Sequence, residues 1–522
     1  KPVVINSENQ YVEFSFPTQR NSYNKRYFLL LETDAPPGTL SVWSNLYDSY
    51  EGGNAYIEGE SLPYDLTFST YYKPPLSYWI IDTLVYEKTK MVQLTINTLM
   101  FFFVGLMVCF LLNYQSPDMV DLILFSIGVG TIVPPILFLG MSLMGIDINR
   151  KNTIVILLTM LFAATVKLCL IYNSGQKILH LPPVHGKELA TLTLLFILAI
   201  FTRVSQVSDL LVPNWIDGIV HQSQLEKLIT KQSLTFESIY PKGFHSNVAF
   251  EYFLFGKPLH ETALLMGQWL SIFSGLMFYL LARDFFRFPY TLFAAGLYCF
   301  WTTFPAYLVN WGRYPYLEGL VLVPIASIAY KRLESAYISM PILVLLAIGL
   351  GLTHYGSLII FAAYISSNLI DQALSKEYKL SGRHLTILTT FMLPLLLLLL
   401  PKLNNAFYQG VLGKSALSTY ITNALNVLNV SLTYNGSKIW ILGAIGFVFA
   451  LVLKNKKMLL LIKWGLLMLI INLAQFVLNF TVSSPANTVI FLSIPLTLLS
   501  VFVIRIFATK IQKRIKAVKN II

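Results

Sequence analysis

Apolar residues follow two different rhythms along this chain. Up to residue 87 they come in short alternating runs. Tyr11-Val-Glu-Phe-Ser-Phe16, Tyr27-Phe-Leu-Leu-Leu-Glu32 and Asp65-Leu-Thr-Phe-Ser-Thr-Tyr71 read as strands, with turn signals at Pro36-Pro-Gly38 and Gly52-Gly-Asn54. The pattern predicts a small antiparallel β domain over 1–87, of the sandwich type and short of its first strands. Beyond residue 90 the apolar runs lengthen to about 20 residues, the length that crosses a bilayer. Thirteen such runs are predicted: 91–112, 121–145, 153–172, 189–206, 261–282, 288–308, 316–331, 337–353, 356–371, 385–401, 438–453, 457–479 and 487–508. The stretch 337–371 reads either as two spans joined at His354-Tyr-Gly356 or as one long kinked span. The fold class is therefore mainly α, a polytopic membrane protein preceded by a β domain.

Composition sharpens this picture. Only 12% of the residues are charged and 55% are hydrophobic, against about 25% charged in an average soluble domain. That excludes an ordinary soluble protein, a disordered chain and a nucleic-acid binder. The net charge is +12 (38 Lys and Arg, 26 Asp and Glu), but the basic residues sit mostly at the ends of apolar runs. They report membrane orientation rather than a nucleic-acid partner. The acid-free tail with Arg505, Lys510, Lys513, Arg514, Lys516 and Lys519 is expected in the cytoplasm. Lys454/Lys456/Lys457, Lys376/Lys379/Arg383, Lys331/Arg332, Arg283/Arg287 and Lys177/Lys187 then fall on the same side, and Arg150-Lys151 is the one conflict. The β domain, the 207–260 loop, the 309–315 loop, His354 and the 402–437 loop share the extracytoplasmic face of a plasma membrane.

Cys109, Cys169 and Cys299 all lie in apolar stretches, which suits neither a disulfide framework nor a cysteine zinc site. The chain begins at Lys1 with no signal-peptide pattern and reads as a sequence whose upstream part was cleaved or left out. Trp43, Tyr47, Tyr50 and Tyr56, with Asp48 among them, either pack the β domain or offer aromatic faces to a sugar.

Candidate chemistry concentrates in the long 207–260 loop and its neighbours, since long ordered loops are usually functional. Arg203 lies just before it and Asp209 follows. Then Ile216, Ile219, Val220, Leu228 and Ile229 recur at helical spacing, which predicts an amphipathic helix on the membrane surface. Asp217 and His221 are four apart and share one face of it, extended by Gln224. A carboxylate one turn from an imidazole can orient it, share an ion or act as a base. It can equally be a helix N-terminal acid beside a solvated histidine. His245 and Lys257 follow in the same loop, Arg313 lies on the next outer loop, and His354 ends a further span. Arg313 suits bidentate phosphate recognition, and snorkelling to the interface explains it equally. Lys167, deep in a predicted span, is expected to pair with an acid of another span or to face a cavity. P-loop, GxGxxG, HExxH and G-x-S-x-G motifs are all missing, which argues against an ATP-driven pump, a nicotinamide enzyme, a zincin and an α/β-hydrolase.

Trp215-Ile-Asp-Gly-Ile-Val-His221, Tyr240-Pro-Lys-Gly-Phe-His245 and Asn310-Trp-Gly-Arg-Tyr-Pro315 are similar to motifs of large bacterial members of one group. A span, a long outer loop with a surface helix and an early acid, and then many further spans complete the pattern. It resembles the GT-C superfamily of integral-membrane glycosyltransferases, over roughly residues 185 to 400. The resemblance implies a GT-C-like bundle over 185–510, after three further spans in 88–184 and before a basic tail over 511–522. It implies sugar transfer from a polyprenyl-phosphate donor in the membrane lipid to a glycan, lipid or protein acceptor. Asp217, with His221, would be catalytic. Arg203, Asp209, His245, Lys257, Arg313 and His354 would bind substrate, and a divalent cation such as Mg or Mn could assist. The chain departs from the pattern in its extra N-terminal part, in lacking a paired acid beside Asp217 and in lacking a large C-terminal soluble domain. A non-catalytic scaffold subunit of an envelope complex and a transporter or flippase are the competing readings.

Overall fold

A computed structural model describes residues 56–57, 60–61, 80–81, 83–85, 87–174, 182–207, 210, 215–234, 240–333, 340–374, 421–422, 425–426, 428–477 and 485–519. The chain divides into two compact units, 1–82 and 83–522. Of the first, the described residues form a short antiparallel ladder of β1 (Tyr56–Ile57) with β2 (Glu60–Ser61). Residues 80–81 and 83–85, at the end of the predicted β domain, are helical rather than extended; the other residues of that domain up to 79, Asp209, the predicted span 385–401 and most of the 402–437 loop lie outside the described residues.

The second unit is a helical bundle. Its helices are α1 (Lys88–Leu111), α2 (Met119–Leu143), α3 (Arg150–Asn173), α4 (Gly186–Gln206), α5 (Trp215–Lys231), α6 (Gly243–Phe255), α7 (Leu259–Arg283) and α8 (Tyr290–Phe300). Then come α9 (Ala306–Asn310), α10 (Tyr314–Leu333), α11 (Met340–Thr353), α12 (Tyr355–Leu374), a π-turn (Leu432–Gly436), α13 (Ser437–Val452), α14 (Lys456–Val477) and α15 (Pro485–Lys519). Six helices among the described residues are long and apolar enough to cross a membrane: α1, α2, α3, α4, α7 and, from Val489, α15. They match predicted spans, and they mark the chain as a membrane protein. The helix between 340 and 374 is interrupted at the single residue His354.

The core forms around α7. Every residue from Thr262 to Ala282 is buried, as expected of a helix that is apolar on all sides. Phe101 of α1 and Phe273 pack against Trp269 at 4.6 and 4.4 Å between ring centroids. Beside it α1 and α2 cross in near backbone contact. A Cβ on Gly105 would lie 1.7 Å from the Ser126 carbonyl oxygen, and one on Gly130 would lie 2.0 Å from that of Phe101. Small residues permit this approach, and dispersion between the two backbones replaces the hydrophobic force that lipid cannot supply.

Charged residues tie the bundle at one end. Arg283 at the end of α7 grips Asp118, the N-cap of α2, with Nη1 3.1 Å from Oδ1. Arg332 at the end of α10 donates to Asp121 at 3.0 Å. Lys331 pairs with Asp284 at 3.1 Å, and Lys457 at the start of α14 donates to the Asp284 carbonyl at 2.6 Å. The expected basic clusters of these helices therefore do share one end of the bundle. Lys167 departs from expectation: it meets no acid, but donates to the Phe110 and Leu111 carbonyls (2.6 and 2.9 Å) and to Asn113 Oδ1 (2.6 Å). A cation there satisfies the open carbonyls and the negative dipole end of α1.

The 207–260 segment also differs from a surface loop. It carries α5 and α6, and α6 is buried from Gly243 to Glu251. Phe250 and Phe253 of α6 meet Phe138 of α2 at 6.4 and 6.2 Å. Its other polar contacts fall in the second turn of α10 and the second and third turns of α1. All lie within about 14 Å of the end opposite the arginines, given a rise of about 1.5 Å per residue. So α6, about 20 Å long, lies across the bundle near that end instead of crossing it.

Replacing Gly130 by Ala should force α1 and α2 apart and lower stability by about 2 kcal/mol. Gly140→Ala in the same helix, with no atom within 4 Å of the added methyl, should be neutral or stabilising. Thermal unfolding of the two purified variants checks the contrast.

Candidate functional site

The transverse helix and the surface helix α5 place the candidate residues. The polar stripe predicted for α5 exists, and each member has a partner on another segment. Asp217 Oδ2 accepts from Arg313 Nε at 3.2 Å, and both side chains are about one-third exposed. His221, one turn on, is buried with its Nδ1 3.2 Å from Nε2 of His245. Gln224 accepts from Lys242, the residue before α6. The three contacts fasten α5 to α6 and to the loop before α10.

Arg313 is fixed by aromatic faces as well. Its guanidinium lies 4.7 Å from the Trp311 ring and 5.7 Å from Tyr316, where the ring quadrupoles attract the cation. His354, at the break between α11 and α12, packs on Tyr316 at 4.3 Å and accepts the Gly356 N–H on Nδ1. Asp217, Arg313 and His354 thus share one shallow, aromatic-lined patch at the end opposite the arginine belt. Since Nε serves Asp217, the two Nη groups of Arg313 remain for an anion.

Beneath the patch lies the histidine pair, enclosed by Tyr240, Phe244 and Tyr314. Burial pushes the His221 imidazole down to about 4, and the nearby Lys242 charge adds to this. His245, wholly buried, is held well below the ordinary histidine value by burial, His221 and Lys242. Both rings are neutral at pH 7, so one donates and the other accepts. Lys242 is itself lowered to about 8 by burial and by Lys227.

Two of the predicted binding residues sit apart. Arg203 is buried in α4 and donates to the Cys299 carbonyl at 2.7 Å and to Gln206 at 3.1 Å. Gln206 in turn reaches Asn310 at 2.7 Å, so Arg203 braces the Arg313 loop from below. Lys257 is half-buried in the turn between α6 and α7, after Gly256 at φ +68°. Among the described residues no group of three or more His, Cys, Asp and Glu is arranged to hold a metal ion. Asp217 has an arginine where a divalent cation needs a second carboxylate, so the described residues around it do not fit such an ion.

Several buried polar residues went unpredicted. Glu251 accepts from Gln93 (2.8 Å) and Asn97 (2.9 Å) of α1, and Glu318 accepts from Asn247 at 2.7 Å. Both acids interrupt apolar sequence, and that is the signal that could have flagged them. Comparison of the chain with protein-family models, with curated proteins and with solved structures gave no match.

The histidine pair sets a pH limit. Each histidine has a folded value below its unfolded value of about 6.5. The unfolded chain therefore takes up protons first as pH falls, and stability is lost from about pH 6.5 down to about 4. For His221 the loss should approach ~3 kcal/mol. Hydrogen exchange of α5 and α6 between pH 7 and 4 should show them opening first, and His221→Asn should flatten the profile.

Proposed function

We propose that the chain is a GT-C-like glycosyltransferase of the plasma membrane. It would move a sugar from a polyprenyl-phosphate donor to an acceptor on the extracytoplasmic face. The Asp217–Arg313 pair carries this reading. It joins a carboxylate that can accept the acceptor's proton to a cation that can hold the donor's phosphate, at a bundle end a lipid substrate can reach.

In the proposed reaction the acceptor hydroxyl gives its proton to Asp217 and its oxygen attacks the anomeric carbon. The bond from that carbon to the phosphate oxygen breaks, and the phosphate leaves with the electron pair. The Nη groups of Arg313 oppose the charge that develops there, held in place by Trp311 and Tyr316. His354 on Tyr316 and Lys242 behind α5 add donors around the leaving group. Polyprenyl phosphate is already a good leaving group, so positioning and charge stabilisation are enough.

The orientation belongs to the same reading. The end tied by Arg283, Lys331, Arg332 and Lys457 would face the cytoplasm, as positive residues favour. The Asp217 patch and the 1–87 β domain would then face outward, and the thirteen expected spans would lead from that domain to the cytoplasmic tail. A second reading is favoured by the ion pair itself. Arg313 already holds Asp217 in an ion pair between two segments, a structural use of the acid that fits a non-catalytic scaffold subunit.

The test is turnover in proteoliposomes, with a panel of radiolabelled polyprenyl-phosphate sugars and an envelope extract as acceptor. Release of polyprenyl phosphate is expected. Asp217→Asn, close in shape, should cut it by about 100-fold or more, and Arg313→Gln by about 100-fold. Unchanged turnover in Asp217→Asn would remove the acid's role. No release from any donor would leave the scaffold reading.

A further inference from the structure

Below the histidine pair, three helices bring three wholly buried side chains together. Asn247 comes from α6, Glu318 from α10 and Thr353 from the last residue of α11. Asn247 Nδ2 donates to Glu318 Oε1 at 2.7 Å, and the Thr353 hydroxyl lies beside the same carboxyl. The remaining oxygens, Glu318 Oε2, Asn247 Oδ1 and Thr353 Oγ1, have no hydrogen-bond partner. Leaving one such buried oxygen unpaired is costly, and here three lie in one place.

The other buried acid of this region provides an internal comparison. Each carboxyl oxygen of Glu251 receives its own amide N–H, from Gln93 and from Asn97. The bundle can therefore close a buried carboxyl completely with side chains. Around Glu318 it supplies one amide hydrogen bond, from Asn247, and a hydroxyl, that of Thr353, beside the carboxyl. No Lys or Arg among the described residues pairs with Glu318.

α11 ends at Thr353 and α12 starts at Tyr355, so the C-terminal end of one helix and the N-terminal end of the next meet beside the cluster. Packing is tight there. A Cβ on Gly243 would lie 2.7 Å from both Cα and Oγ1 of Thr353, so no larger side chain can enter from α6.

The geometry points to a site for a monovalent cation of the sodium class, held by Glu318, Asn247 and Thr353. Oxygen donors select a hard cation. A single carboxylate balances one positive charge, whereas a divalent ion would leave an uncompensated charge in an apolar interior. A carboxylate, neutral oxygens and a broken helix are the usual ingredients of such sites. The site is separate from the Asp217–Arg313 patch, and it stands whether or not the chain transfers sugar.

The test uses the purified full chain in detergent. Thermal unfolding is followed in sodium chloride and in choline chloride at equal ionic strength, and binding of radioactive sodium is measured directly. Sodium should raise the midpoint by at least about 2 °C in a saturable manner. Glu318→Gln, which keeps the shape and removes the charge, should weaken sodium binding by about 100-fold. Should that variant fail to fold, Thr353→Val should weaken it by about tenfold. An equal response to potassium or lithium supports the same class. Equal stability in choline and sodium would overturn the site, as would sodium binding retained in Glu318→Gln. A larger, Glu318-dependent response to magnesium would overturn the monovalent assignment.

Discussion

Polar groups under the surface of an apolar bundle are cut off from water, which drives them toward partners on other helices. That constraint organises the second unit of this chain. At one end it sets Arg283 on Asp118 and Arg332 on Asp121, tying the ends of α7 and α10 to the start of α2. At the other it sets Asp217 on Arg313 and His221 on His245. Within about 20 residues of α10, or about 30 Å, both ends are reached by the same helix. The bundle is thus pinned by polar contacts at two levels, with the buried α7 and the close α1–α2 crossing filling the space between.

The transverse helix α6 is where this matters for function. It is too short to cross a membrane, yet it is buried nearly throughout. Its polar residues are distributed to three neighbours: His245 to α5, Asn247 to α10 and Glu251 to α1. Such a helix works as a shelf. It supports α5 from beneath, so Asp217 stays at the surface while His221, one turn away, is enclosed. The same shelf separates an open, aromatic-lined patch around Arg313 from a closed oxygen-rich cluster around Glu318. These are different environments, suited to different chemistry. The patch leaves Asp217 and Arg313 partly exposed, and the cluster is wholly buried.

The break at His354 serves both. It ends α11 with Thr353 pointing into the closed cluster and starts α12 with His354 against Tyr316 in the open patch. A continuous helix would present one or the other. Arg203 supports the patch indirectly, through Gln206 and Asn310, from a buried position in α4. Its role is to brace the loop that carries Arg313.

Much of this was legible in the sequence because it rests on local, periodic signals. Apolar run length gave the membrane helices, helical spacing gave α5, and the sequence around His354 allowed the broken pair. Chain position also placed Asp217, His221, His245, Arg313 and His354 in neighbouring segments. Their division could not be read there. Asp217 and His221 share a helix face by spacing alone, and only the packing of α6 beneath that face puts one in an ion pair and encloses the other. Lys167 and Glu318 look alike in sequence, as lone charges in apolar runs. The fold gives the lysine the open carbonyls of α1, while Glu318 meets an amide, a hydroxyl and a helix end. Such environments are assembled from residues dozens of positions apart. Periodicity says which face of a helix is buried, but only tertiary structure decides what the buried polar group meets.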